Sequence, residues 1–154
     1  MKEGEVIVAS QLAGEFIMPH DVSQKLVFIA GGIGVTPFRS MIADLITRRE
    51  KRDVVMLYAN RKAEDVAYKE VFDQAERELG IKTVYALSDE PNPVRGMYPG
   101  SLTSDLVMTA VPDYHERTFY ISGPHAMVDA FQTTLRGMSI PPSRIKVDFF
   151  PGFA

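Results

Sequence analysis

A doubly wound α/β fold, with a parallel sheet of five to six strands and helices on both faces, is what this sequence predicts. Three observations predict it. Apolar strand patterns alternate with helical ones from Leu26 to the end of the chain. The strands are apolar almost without a break, as in parallel sheets covered on both sides. Every unusual turn falls at the carboxyl end of a strand, where such sheets bind their ligands. The 154 residues, 45% hydrophobic and 24% charged, suit one ordinary globular domain with a real core.

The first strand is Leu26-Val27-Phe28-Ile29-Ala30. Phe38, Met41, Ile42, Leu45 and Ile46 then recur at helical spacing, and the helix closes in Arg48-Arg49-Glu50-Lys51-Arg52, read as a solvated end where cations offset the helix dipole. Val54–Tyr58 is a second buried strand. Tyr68, Val71, Phe72, Ala75 and Leu79 mark a second helix, with Gly80 as its stop signal. Thr83–Leu87 is a third strand, followed by a loop rich in proline and glycine from Ser88 to Gly100. Its length suggests function rather than mere connection. A short helix around Leu102, Leu106 and Val107 leads to the strand Thr118–Ile121. A glycine–proline turn at Gly123-Pro124 opens a helix carrying Met127, Val128, Phe131 and Leu135. Ile145–Phe150 is the last strand.

The run Gly31-Gly32-Ile33-Gly34-Val35-Thr36-Pro37 is the strongest local signal. Its glycines permit positive φ and clear side chains from the backbone, Thr36 is placed to cap the next helix, and Pro37 suits that helix's first turn. The expected product is a helix N-terminus with free N–H groups beside a bare surface, a site for phosphate or pyrophosphate. Gly32 and Gly34 match the first two glycines of the dinucleotide fingerprint. Pro37 stands in place of the third, and the acidic residue expected about 20 residues on is replaced by Asn60-Arg61. A simple dehydrogenase pattern therefore fits poorly.

Other function classes are excluded by composition. The net charge of −3 gives no electrostatic case for nucleic acid. With no cysteine there is no disulfide, thiolate metal site or cysteine nucleophile, and no metal site is expected. No apolar stretch approaches a membrane span and no signal peptide is visible, so a soluble, cytoplasmic location is expected, for the chain alone or as a soluble piece of something larger.

The ordered set Ala30–Pro37, Asn60-Arg61, Ser122-Gly123-Pro124-His125-Ala126-Met127 and terminal Asp148-Phe149-Phe150 resembles the pyridine-nucleotide domain of the ferredoxin–NADP reductase superfamily. In that family a β-barrel binding FAD or FMN precedes this domain, and hydride passes between nicotinamide and flavin at their junction. Gly4–Ala9 followed by Leu12–Phe16 resembles the last strand and loop of such a barrel. The resemblance therefore implies a barrel remnant and linker over residues 1–23, a nucleotide domain over 24–154, and a chain that is a fragment of a larger reductase.

Carried over by position, Gly31, Gly32, Gly34, Thr36 and Pro37 would cradle the pyrophosphate, with the Thr36 hydroxyl near the nicotinamide. Gly123 and Pro124 would lie under the nicotinamide ribose, with Met127 packing beneath them or simply filling the core. Many members have cysteine where Ser122 stands; a hydroxyl can still hydrogen-bond the carboxamide but is less polarizable than a thiol. The resemblance puts Phe150 at the flavin–nicotinamide junction with Asp148 as its polar companion, Phe153 as a further aromatic candidate, and Phe149 in the core. His125 is read as an ordinary polar loop residue.

Members that use NADPH typically hold the 2′-phosphate with a Ser-Arg pair at the end of the third strand. Here the chain reads Ser88-Asp89-Glu90. A carboxylate repels a phosphate and accepts hydrogen bonds from a ribose diol, so NADH is favoured, with Asp89 reading the ribose, Asn60 ordering that edge and Arg61 offering a phosphate contact. Asp89 could equally be a turn residue ahead of Pro91. The resemblance implies an NAD(P)H oxidoreductase domain, inactive alone, whose electrons pass through flavin to an iron–sulfur protein, a haem or a membrane redox segment. NADPH use, a non-catalytic regulatory module and an empty glycine turn are the alternatives.

Overall fold

The structure, a computed structural model, describes residues 16–150 apart from Pro93. The apolar runs form strands β1 (Leu26–Gly31), β2 (Val54–Asn60), β3 (Lys82–Leu87), β4 (Tyr98–Pro99), β5 (Thr118–Pro124) and β6 (Ile145–Phe150). The helices between them are α1 (Thr36–Arg48), α2 (Lys69–Leu79), α3 (Ser104–Ala110) and α4 (His125–Gly137). All strands pair in parallel, in the order β4-β3-β2-β1-β5-β6. The sheet is thus six-stranded, and β4, two residues inside the proline-rich loop, is the strand that the sequence pattern did not reveal.

Strand alternation divides the core in two. Phe28, Met56 and Tyr58 share one layer with Phe38, Ile42 and Leu45 of α1 and Phe72, Ala75 and Leu79 of α2. Val27, Ile29, Phe119 and Ile121 share the other with Leu106 and Val107 of α3 and Val128, Phe131 and Leu135 of α4. Helices therefore cover both faces, and the central strand β1 is fully buried. From β1 the chain winds outward through β2, β3 and β4, then returns to β5 on the other side. The topological switch point lies between β1 and β5, and the turns at their carboxyl ends are Gly32–Val35 and Ser122–Pro124.

Two local expectations are corrected. Thr36 does not cap α1: Val35 is the N-cap, in helical conformation, because a single 3-10 turn over Gly32–Val35 leads directly into the helix. The Thr36 hydroxyl instead donates to the Ile33 carbonyl at 2.9 Å. The basic run after α1 is not wholly solvated either. Arg52 is buried, with its guanidinium donating to Glu50 and to the carbonyls of Pro19 and Asp21.

Residues 16–21 lie on the α1 layer. Phe16 packs on Phe38 and edge-on to Tyr120, and the Tyr120 hydroxyl donates to the Ile17 carbonyl at 2.9 Å. The first 15 residues of the expected barrel remnant lie outside the described residues. Among the described residues no helix is long and apolar enough to cross a membrane.

Candidate functional site

The glycine turn is built from close contacts more than from unusual backbone. Of its glycines, Gly32 takes a positive φ, +51°, whereas Gly31 is extended at −121°. Gly31 and Gly34 are required for another reason. A Cβ on Gly31 would stand 2.0 Å from the Met127 sulfur, and one on Gly34 would stand 2.3 Å from the Ser122 carbonyl oxygen. The turns after β1 and β5 thus interlock across the switch point, with Met127 also close beneath Gly123. At α4 no side chain caps the N-terminus, so N–H groups of its first turn remain available; at α1 the Thr36 N–H already donates to the Ile33 carbonyl and Pro37 has none, so the preceding glycine turn presents the backbone there instead.

A cleft of about 710 Å³ opens from this switch point toward the carboxyl ends of β2 and β3. Among the residues singled out in the sequence, it brings together Gly31, Gly32, Asn60, Arg61, Ser88, Pro124 and Met127. Gly34 and Gly123 lie buried just beneath, in the interlock. Thr36 is exposed at the start of α1 and Pro37 half-buried beside it; neither lines the cleft, nor does Ser122 or Asp89. Asp148 is exposed on β6, in register with Ser122. Phe150 ends β6 opposite Pro124. Phe153 lies outside the described residues.

One expectation fails here. Phe149 is not core but 52% exposed, because β6 is an edge strand whose upper end runs past the helical cover. Its ring meets His125 edge-on at 4.6 Å, and the His125 imidazole pairs with Asp129 at 2.9 Å on the next turn of α4. Ile33, at the tip of the glycine turn, is 64% exposed. Apolar surface is thus left open at the same end of the sheet.

Buried polar groups gather at this end too. Neither the Asn60 amide nor the Ser122 hydroxyl completes a hydrogen bond, although both are buried. Such orphaned groups are uncommon and costly, and a bound molecule would satisfy them. The Tyr58 hydroxyl, on the cleft wall, donates to the Gly32 carbonyl and accepts from the Ala67 N–H, each at 3.3 Å, so it ties the glycine turn to the segment before α2. Burial pushes its phenol up from the ordinary value, against the opposing pull of the Ala67 N–H and the nearby Asn60 amide.

Farther along, the loops after β2 and β3 are zipped together. Ser88 N–H donates to the Asn60 carbonyl and Asp89 N–H to that of Arg61. The Arg61 guanidinium meets the Asp89 carboxylate at 2.7 Å, and Glu90 accepts the Ala63 N–H. Sequence reasoning missed several lining residues: Tyr58, Asp65, and an apolar slot of Ala59, Ala86, Leu102 and Phe131. Asp65, four residues past Arg61, was the visible signal; the slot is assembled from β2, β3, α4 and the segment before α3 and has none.

The family model for the oxidoreductase NAD-binding domain matches residues 28–133. A flavohemoprotein of Bacillus cereus is 30% identical over 97% of this chain and 38% of its own length. One component of the Na(+)-translocating NADH-quinone reductase of Yersinia pestis is 32% identical over 99% of this chain and 39% of its own. The chain therefore spans less than half of the curated relatives it matches. Among solved structures, the Amycolatopsis cytochrome P450 reductase GcoB aligns with a TM-score of 0.76 and 29% identity, over 91% of this chain and 42% of that one. The FAD/NAD-binding domain of a Vibrio cholerae nitric oxide dioxygenase aligns at 0.79 with 19% identity, over 91% of this chain and 56% of that one, a likeness of fold.

Proposed function

Because the chain belongs to the oxidoreductase NAD-binding domain family, we propose that it holds NADH in the switch-point cleft and presents the nicotinamide to a flavin carried by an adjoining domain. The observation that carries this reading is the interlocked glycine turn beside the uncapped N-terminus of α4, with orphaned polar groups next to it. That arrangement fits a dinucleotide: backbone N–H groups and helix dipoles for the pyrophosphate, and unclaimed hydrogen-bonding atoms for its sugar and amide groups. When bound, the dinucleotide would supply a hydride to the flavin.

The chain's own residues then bind, orient and exclude water. Gly31, Gly32 and Gly34 give the pyrophosphate close access to the backbone, with Thr36 and Pro37 starting the helix behind them. Gly123, Pro124 and Met127 form the floor for the nicotinamide ribose. The Ser122 hydroxyl is the hydrogen-bonding group for the carboxamide. The slot of Ala59, Ala86, Leu102 and Phe131 is apolar and suits the adenine. Asn60, Arg61, Ser88 and Asp89 shape the adenosine end, Asp148 lies at the flavin junction, and Phe150 and Phe153 are the aromatic candidates for covering the flavin. The exposed Ile33 and Phe149 lie at the end of the sheet that would meet the flavin domain.

The division at residue 23 and the identity of the flavin, FAD or FMN, belong to this proposal, as does an onward acceptor of the iron–sulfur, haem or membrane redox kind. Calorimetric titration of the chain with NADH and NADPH tests it. Saturable binding with NADH tighter supports the reading, a preference for NADPH removes the NADH assignment, and binding of neither overturns it.

A further inference from the structure

We propose that the choice between NADH and NADPH is set by an ion-pair lock, in which Asp89 holds Arg61 away from a 2′-phosphate instead of reading the ribose itself. This rests on the reading of the cleft as a dinucleotide site. Arg61 lines the cleft and Asp89 does not. The two are neighbours across the loops after β2 and β3, bound twice: Asp89 N–H to the Arg61 carbonyl at 2.9 Å, and guanidinium to carboxylate at 2.7 Å.

Among the described residues lining the cleft, Arg61 carries the positive charge that could meet a phosphate. A 2′-phosphate could use it only by breaking its pair with Asp89 and leaving that carboxylate beside a second anion. The surroundings aggravate the conflict, since Glu64, Asp65, Asp89 and Glu90 outweigh Arg61 and Lys62 in this corner. A ribose diol meets no such conflict. It needs hydrogen-bonding groups rather than a cation, and Asp65 and Ser88 both line the cleft. The Arg61 guanidinium also holds the Asp89 carboxyl below the usual carboxylate range, in keeping with the ion pair.

The lock and a direct ribose contact predict opposite results for the same substitutions. ADP and 2′,5′-ADP are the probes, because they report the adenosine end without the nicotinamide. In Asp89→Ala, 2′,5′-ADP is expected to bind about threefold to fivefold tighter, the increment of an exposed ion pair. The gain should vanish in the Arg61→Ala, Asp89→Ala double variant and shrink as salt is raised, since both side chains are largely exposed. Loss of ADP affinity in Asp89→Ala, with no gain for 2′,5′-ADP, would overturn the lock and restore the ribose contact while the dinucleotide site stands. Failure of the unaltered chain to bind ADP, 2′,5′-ADP or NADH would overturn the site and the lock together.

Discussion

At the amino ends of the strands, Arg117 is 6% exposed and each of its guanidinium nitrogens is matched: Asp113 takes two hydrogen bonds, Asp53 pairs at 2.8 Å, and the Leu26 carbonyl accepts another. At the carboxyl ends, Asn60 and Ser122 are 8% and 1% exposed, yet their side-chain atoms complete no hydrogen bond. The two regions share the same strands and comparable burial. At these residues they differ in whether the chain answers its own polar groups, although Thr83 and Tyr85 on β3 also carry buried, unpaired hydroxyls. Satisfied polarity fastens β1, β2 and β5 together at one end; unanswered polarity at the other marks where a second molecule belongs.

The contrast is broken most severely by Gly34→Ala. The new methyl meets the backbone of β5, which cannot swing aside as a side chain tip can. A stability loss of about 3 kcal/mol is expected, together with loss of NADH binding, read by denaturant melts and calorimetry. A substitution that left both unchanged would show that the interlock is dispensable.

Arg117→Ala attacks the opposite end and should lower stability by about 2–3 kcal/mol, because it takes the cation from Asp53 and leaves Asp113 with Lys25 alone. NADH affinity measured well below the melting temperature should stay unchanged. The same end predicts an acid response. The Arg117 guanidinium holds the Asp113 carboxyl at about 2, below its ordinary 3.8. A carboxylate with a depressed native value stabilises fully above its unfolded value and loses that contribution as pH falls toward 2. The loss should be about 1 kcal/mol, discounted for the exposed part of the side chain, and smaller in Arg117→Ala melts run across that range, where Lys25 alone still pairs with Asp113.

The smallest effect sharpens the comparison by its sign. Ser122→Ala removes a buried hydroxyl that has no partner, so stability should hold or rise by up to about 1 kcal/mol, while NADH binding weakens a few-fold. Destabilisation instead would mean that the hydroxyl serves the fold.

The strands and helices were legible wherever an apolar run of five or more residues ended in glycine, proline or charge, which is why β1 and its turn stood out. β4 was not, because two residues carry no period. Phe149 was misplaced because alternation tells which face a residue takes, not how far a helix covers an edge strand. Arg52 and Arg117 gave no warning of burial, since a cation beside other charges reads as solvated. Asn60, Arg61 and Ser88 could be named from strand ends, but the pairing of Arg61 with Asp89 joins residues from separate strands and exists only once β2 and β3 are in register.

The brevity of β4 has a consequence beyond the site. It covers only the upper part of β3, and Pro99 lacks the N–H that a further strand would need. Lower down, the β3 edge begins with the exposed Lys82, a charge that discourages stray pairing. Proline on the covered part and charge at the start of the uncovered part both hinder edge-to-edge pairing along this flank. Loops at the carboxyl end can then change without remaking the sheet that carries them.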